Sequence, residues 1–469
     1  MEFGLPEDNN KVSLTRFESM LKTNNVLFFD SAEFENIIHH YLEVGKIALA
    51  KKAVKLGLDQ HPSSVNLKLF QTELCILENK FDEANVILDH IHTLEPNNEE
   101  IYIQKANVLS KQDLHEEAVK TLLIALDLAE NDVGIGDLFA LIGMEYLFLD
   151  QFHNARTYFK KCLEIDKDDY SALYNIIYCY DFLDENQAAI SFLNDYLDKS
   201  PYCEVAWHQL GRQYFTINEY DKALAAFDFA IISDDSFVGA YLEKGKVLEK
   251  KQCYAEAIEN YKITLALDEP TSFALLRIGH CYDKLGENDL AVQYFYKTVH
   301  EDPLLDKGWI AITKFYNKKQ NYQKALFYIN KAINIDSENV IYWKLYAQIN
   351  HRLNFLEEAE RGYKRTLDLG NYELETWLSR CDILIFLGEF NAAILNLQDA
   401  AEFYPETAEI EFRLAGLYFS ILETRKGQFH LKNAILLDEE YEFILEELFP
   451  NVLLKPSVQN LIIQTKEQS

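Results

Sequence analysis

Long apolar runs are missing from this chain of 469 residues, although 48% of its residues are hydrophobic. A membrane-spanning helix needs about 18 or more consecutive apolar residues, and no stretch approaches that length. The first residues, MEFGLPEDNNKVSLTRF, contain no basic segment followed by an apolar run, which a secretory signal peptide would require. We therefore expect neither membrane insertion nor a cleaved leader.

Cysteine is scarce, and the seven cysteines are scattered along the chain without a CxxC pair. An odd number of separated thiols does not form a disulfide framework. In a chain of this length it indicates reduced, mostly buried cysteines. We therefore expect a cytoplasmic protein.

Basic residues are in the minority, since 45 lysines and arginines stand against 76 aspartates and glutamates, for a net charge of −31. A chain this acidic is repelled by the phosphates of nucleic acids and by anionic lipid surfaces. The composition therefore disfavours nucleic acid as a partner.

Motifs of catalysis and metal binding are absent as well. The sequence has no Walker motif, no GxSxG, no HExxH and no paired CxxC motifs. The close histidine pairs are His39 with His40 and His90 with His92. Residues one or two apart do not face each other on a helix. We therefore expect no metal, no cofactor and no enzymatic activity.

Helical periodicity is what the sequence does contain. In the segment WHQLGRQYFTINEYDKALAAFDFA, residues 207–230, apolar and small residues recur at i, i+3, i+4 and i+7, first from Trp207 and again from Ala223. This is the spacing of one helix face. The segment therefore predicts two short helices joined by a tight turn. Neither helix can bury its face alone, so neighbouring copies are required.

Such copies recur about every 34 residues, if position 1 is set at Glu204. They start at residues 31, 65, 99, 136, 170, 204, 238, 272, 306, 340, 374 and 408. Position 20 is alanine in eleven copies and Gly427 in the twelfth, and all four tryptophans of the chain stand at position 4. A small residue repeated at one position predicts that two helices approach closely there.

The pattern resembles the tetratricopeptide repeat family, most completely at Trp207, Leu210, Gly211, Tyr214, Ala223, Phe227 and Ala230. The resemblance covers residues 31–441 and implies an all-α fold, a right-handed superhelical solenoid of antiparallel helix pairs. Twelve repeats are predicted, with a three-residue insertion at 133–135.

The two ends flank this array. Residues 1–30 are predicted to form an N-terminal segment with a capping helix that starts near Ser13. Residues 442–469 are predicted to form a C-terminal capping helix and an apolar tail. Repeat stacks need such ends to cover their outermost helices. The apolar residues of the tail, Leu453, Leu454, Leu461, Ile462 and Ile463, are expected to pack on a surface.

The resemblance also implies a binding face. In this family the first helix of each repeat lines an inner groove through positions 2, 5, 6, 9, 12 and 13. Basic residues occupy positions 9 and 13 in successive copies: Arg212, Lys246, Lys250, His280, Lys284, Lys314, Lys318 and Arg352. We interpret them as a strip that binds an acidic segment of a polypeptide partner. The alternative is an ordinary solvated surface.

Two earlier copies place apolar residues at the same inner positions, and the partner-contact candidates among them are Met144, Phe148, Tyr178 and Phe182. Apolar side chains that face a groove require a cover. That cover is either a ligand or another segment of the chain.

The leading interpretation is a non-enzymatic scaffold or adaptor that holds a polypeptide segment in its groove. One alternative is an RNA-binding solenoid that uses the basic strip, although aromatic residues for base stacking are not interleaved with it. The other is a structural subunit of a larger assembly that uses its outer surface. The sequence does not indicate an oligomeric state.

Overall fold

The computed structural model describes residues 6–23, 27–129, 134–267 and 271–467. These residues form α-helices and one short 3-10 helix, and no strand occurs among them. The all-α expectation is therefore confirmed. The chain divides into two compact units, residues 1–233 and 234–469.

The first unit consists of helices that follow one another with short connections. Their bounds are α1 (Pro6–Thr23), α2 (Ser31–Glu43), α3 (Ile47–Gln60), α4 (Val65–Leu77), α5 (Phe81–Leu94), α6 (Glu99–Lys111), α7 (His115–Leu128), α8 (Ile135–Phe148), α9 (Phe152–Ile165), α10 (Tyr170–Phe182), α11 (Asn186–Leu197), α12 (Glu204–Thr216) and α13 (Tyr220–Ser233).

The second unit continues the same alternation and ends in shorter helices. Their bounds are α14 (Val238–Lys250), α15 (Tyr254–Leu267), α16 (Ser272–Lys284), α17 (Asn288–Glu301), α18 (Asp306–Lys318), α19 (Tyr322–Ile335), α20 (Val340–Arg352), α21 (Leu356–Asp368), α22 (Leu374–Phe386), α23 (Phe390–Phe403), α24 (Ala408–Ser420), α25 (Thr424–Leu437), a 3-10 helix (Glu439–Glu442), α26 (Phe443–Leu448), α27 (Pro450–Leu453) and α28 (Pro456–Lys466).

Each first helix is joined to its second helix by the same turn. The residue at position 15 has a positive φ in every pair from α2 and α3 to α24 and α25. The N–H of the next residue donates to the carbonyl of position 11, as Lys46 does to Tyr41 at 2.8 Å. This is the Schellman geometry that ends a helix in the left-handed conformation. Glycine, asparagine, aspartate or glutamine occupies position 15 in these pairs, except at Leu422.

Small residues let the two helices of a pair approach closely. The alanines at position 20, from Ala50 to Ala393, are fully buried without exception. The close approach of two helices predicted at position 20, which includes Ala223, is therefore confirmed. Glycine at position 8 acts in the same way, because a methyl group at Gly211 would lie 2.6 Å from Cε1 of Phe227. No real Cβ tolerates that distance.

The N-terminal helix starts earlier than the sequence indicated. α1 begins at Pro6, a residue favoured in the first turn of a helix, and so Ser13 lies inside the helix and is not its N-cap. The Ser13 hydroxyl donates to Glu33 Oε1 at 2.8 Å, while Phe17 and Met20 are buried. Of the inserted residues 133–135, Val133 lies outside the described residues, Gly134 has φ 93 and Ile135 opens α8.

The C-terminal segment folds back onto the last helix pair. α26 and α27 pack against α24, and α28 packs against α25. Phe449 is buried against Gly416, where a Cβ would overlap its ring. Ile462 is also buried, but Leu454 and Ile463 are exposed. The expectation that these two residues pack is therefore wrong, because Leu454 follows the end of α27 and Ile463 lies on the exposed side of α28.

Candidate functional site

The inner face is the name used here for positions 2, 5, 6, 9, 12 and 13 of the first helices. In the second unit it carries basic residues on α14, α16, α18 and α20. Lys250, Lys284, Lys314 and Arg352 are exposed there. Within the part of the chain that the structure describes, none of these four forms a salt bridge.

Two predicted members of the strip are partly neutralised by their neighbours. Lys246 Nζ donates to Glu243 Oε1 at 2.6 Å and lies 5.2 Å from the centre of the Phe273 ring. Lys318 Nζ lies 3.1 Å from Asp283 Oδ1. These pairs connect α14 to α16 and α16 to α18, so the faces of the three helices adjoin.

His280 differs from the other members of the strip in its burial. Burial lowers its pKa to about 4, with the positive charges of Arg277, Lys314 and Lys284 acting in the same direction and Asp283 opposing them. A pKa this low leaves the imidazole neutral near pH 7, so we do not count His280 among the charged members of the strip. The same electrostatic interactions place Lys284 and Lys314 near one imidazole.

A search restricted to positions 9 and 13 overlooks other inner-face cations, among them Arg277 and Lys344. Arg277, at position 6, donates from Nε and Nη2 to the two oxygens of Glu249 at 2.8 and 2.6 Å. Lys344, at position 5, is paired with Glu373 and Glu375. The charges of Arg277 and Lys344 are therefore both compensated. Because Glu249 is engaged by Arg277, it is not available to compensate Lys250. Reading all six inner positions would have found them.

Arg212 belongs to the first unit, where its Nη1 donates to Gln209 Oε1 at 3.3 Å. The basic strip of the second unit therefore consists of the residues on α14, α16, α18 and α20, without Arg212. No described contact joins Arg352 to the lysines of α16 and α18.

The aromatic candidates in the first unit are exposed on α8 and α10. Phe148 is 56% exposed and Phe182 is 59% exposed, and Met144 and Tyr178 are also exposed. His115 stacks on Phe148 with ring centres 4.8 Å apart, and Phe152 stacks on Phe182 at 4.2 Å. The rings are thus held in place by neighbours while their outer faces remain open, and no described residue covers them.

The described residues contain neither a cluster of metal ligands nor a membrane-spanning helix. No set of three or more histidine, cysteine, aspartate or glutamate side chains is placed to hold a metal ion there. No described helix is long and apolar enough to cross a bilayer. Six of the seven cysteines are buried, and none is in a disulfide.

Comparison with known proteins identifies the repeat. Sequence profiles described as tetratricopeptide repeat match residues 136–169, 208–270, 274–299 and 307–339. Anaphase-promoting complex subunit 3 of Schizosaccharomyces pombe is 20% identical over 336 residues, which are 70% of this chain and 44% of the relative. Anaphase-promoting complex subunit CDC16 of Saccharomyces cerevisiae is 22% identical over 286 residues, covering 59% of this chain and 33% of the relative. The matched part is therefore less than half of each relative.

Solved structures of helical repeats are similar at lower identity. One chain of the crystal structure of the APC/C hetero-tetramer Cut9–Hcn1 is 14% identical to this chain. The match covers 87% of this chain and 93% of that chain, with a TM-score of 0.38. The C-terminal part of a TPR repeat-containing protein from Cytophaga hutchinsonii is 17% identical, covers 49% and 95%, and has a TM-score of 0.43. Scores this low do not establish a shared overall shape.

Proposed function

This chain is a tetratricopeptide repeat protein, and we propose that it acts as a non-enzymatic scaffold or adaptor that binds an acidic segment of another protein along the inner face of its second unit. The observation that carries the proposal is the set of four exposed cations without salt bridges, Lys250, Lys284, Lys314 and Arg352, in a chain of net charge −31. The reduced, mostly buried thiols are consistent with a cytoplasmic location.

The assignment of repeats belongs to the same proposal. We assign twelve repeats to residues 31–441, one to each pair of helices from α2 and α3 to α24 and α25, with residues 1–30 and 442–469 as flanking segments. The Schellman turn at position 15 in each of these pairs supports the assignment.

The carboxylates near the strip are paired with other cations, so the charges of the four exposed residues remain available to a partner. Glu249 is engaged by Arg277, and Glu243 and Asp283 each pair with one lysine. Exposed ion pairs contribute only about 0–1 kcal/mol, so a partner carboxylate can compete with Asp283 for Lys318. First helices of adjacent repeats pack about 10 Å apart. A track from α14 to α20 is then about 30 Å long, which about nine extended residues would follow at about 3.3 Å each.

The test uses a labelled nine-residue peptide rich in aspartate and glutamate, titrated against the full chain by fluorescence anisotropy. Reversing Lys250, Lys284 and Lys314 to glutamate should weaken binding at least tenfold, because three attractions become repulsions. The matched control reverses three exposed lysines on second helices, Lys297, Lys331 and Lys364, with the same change in net charge. Equal affinity of the two triple variants would reject the proposal.

A second candidate function is that of a subunit in a larger protein assembly. The observation that favours it is the relatives' names, which describe subunits of the anaphase-promoting complex. The open aromatic surface of Met144, Phe148, Tyr178 and Phe182 supplies apolar area for such an interface. Substituting Phe148 and Phe182 with serine should then release assembled partners while leaving the acidic peptide bound. RNA is opposed by the net charge, and a single-stranded RNA oligonucleotide in the same titration checks that alternative.

A further inference from the structure

The first unit has an inner-face cavity of opposite character to the basic strip. The cavity is about 210 Å³ and lies between α2, α4 and α6, and its lining residues are Glu35, Asn66, Leu69, Phe70, Glu73, Glu100 and Gln104. Three carboxylates thus converge on one space, and no basic side chain lines it. These residues occupy inner positions 2, 5, 6 and 9 of three successive first helices.

The carboxylates are only partly satisfied by their neighbours. Asn66 Nδ2 donates to Glu35 Oε2 at 3.2 Å, and Gln104 Nε2 donates to Glu100 Oε1 at 2.8 Å. None of the three glutamates forms a salt bridge within the described residues. Burial raises the pKa of Glu73, and repulsion from Glu100 raises it further, while His39 opposes both. Among the described residues, no salt bridge therefore compensates these carboxylates, and His39 is the basic group that acts on Glu73.

A second observation points to a hydrogen-bond donor. The side chain of Gln104 is 8% exposed, and its Oε1 is buried at the cavity wall without any hydrogen-bond partner. A buried carbonyl oxygen without a donor costs free energy. The hydrogen bond from Nε2 to Glu100 fixes the orientation of the amide. Oε1 is therefore an acceptor that lacks a donor. A group that donates N–H bonds and carries a positive charge would satisfy both this oxygen and the carboxylates.

We propose that this cavity binds the basic side chain, arginine or lysine, of a bound polypeptide. A guanidinium or ammonium group supplies several N–H donors for the carboxylates and for Gln104 Oε1. Leu69 and Phe70 form apolar walls along which the aliphatic stem can lie. The described carboxylates are not grouped closely enough to hold a metal ion. The proposal rests on the proposed function, in that the ligand is part of a protein partner.

The test titrates the full chain with N-acetyl-arginine amide, N-acetyl-lysine amide and the uncharged N-acetyl-citrulline amide. The methyl signals of Leu69, which is buried in the cavity wall, report binding by NMR. The arginine or the lysine probe should shift these signals and saturate, and citrulline should not. The double variant E73Q/E100Q keeps the shape of both side chains and should raise the Kd at least tenfold.

The matched control is E116Q/E117Q, which makes the same change in charge at two exposed positions of α7. It should bind like the unmodified chain. Equal shifts with arginine and citrulline, or an unchanged Kd in E73Q/E100Q with helix content intact, would overturn the proposal. The acidic-peptide titration of the second unit is independent of these glutamates, so a failure here is distinguishable from a failure of the proposed function.

Discussion

Leu422 is the one apolar position-15 residue, and its side chain disfavours the conformation that the turn requires. Its φ is 68, and its side chain is 80% exposed, so little packing is lost when it is replaced. Asparagine occupies the same position at Asn79, Asn218 and Asn354. A left-handed residue with a bulky side chain costs roughly 1–2 kcal/mol, and asparagine tolerates the region better. We expect Leu422→Asn to stabilise the pair α24 and α25 by about 1 kcal/mol.

The opposite substitution is available in the same chain. Gly286 has φ 81, and a Cβ added there would meet no atom within 4 Å. Gly286→Leu therefore introduces the backbone penalty without a steric clash. The loss of roughly 0.5–1 kcal/mol of glycine's unfolded-state entropy offsets part of it. The pair α16 and α17 should be destabilised by up to about 1 kcal/mol.

Hydrogen exchange measured by mass spectrometry is the suitable assay, because repeat arrays open locally and not as one two-state unit. About 1 kcal/mol corresponds to about a fivefold change in the opening equilibrium. Amides of α24 and α25 should exchange about fivefold more slowly in Leu422→Asn, and peptides from the first unit serve as the internal reference. Unchanged or faster exchange in α24 and α25 would refute the reasoning that position 15 is a strained site.

Three further outcomes test other parts of the structure. Ala223→Leu should lower the urea stability of the first unit by about 1–3 kcal/mol, because the site is fully buried, whereas Ala→Leu at an exposed helix position should not. Phe449→Ala should increase hydrophobic-dye binding, since Phe449 covers Gly416, and deleting residues 451–469 should do the same; dye binding equal to that of the intact chain would contradict this packing. Glu73→Gln should stabilise the first unit at neutral pH, because the raised pKa of Glu73 in the folded state means that its charge opposes folding above that pKa; the gain should vanish below the unfolded pKa, and a gain that persists at acid pH would point to another cause.

The architecture could be predicted because its signals are short-range. Helix periodicity, the alanine at position 20 and the tryptophan at position 4 each depend on contacts within one pair or between neighbours, and they recur in many copies. The sequence predicts a tight turn, but it does not indicate the left-handed residue at position 15, because glycine, asparagine, aspartate, glutamine and leucine all occur there. What these residues share is a backbone angle and not a chemical type.

The charge state of the inner face could be predicted only in part. Lysines at positions 9 and 13 are visible in the sequence, but the ion pair of Lys318 with Asp283 connects two different helices. His280 loses its charge because helix packing buries it, and Lys246 is compensated by Glu243 three residues earlier. The acidic cavity could not be predicted, because its glutamates stand at different positions in successive repeats. No single inner position is therefore acidic in all three of these repeats.

The fold-back of α26 to α28 sets a rule for protein engineering. A thirteenth repeat grafted after Leu437 would stack on the surface of α25 that α28 now occupies, and its inner face would adjoin α24, where Phe449 is inserted against Gly416. An elongated array therefore has to replace residues 438–467, and a graft placed behind them would not be continuous with the helix pairs. A junction at Asp438 keeps every pair of the array and frees one end for new repeats.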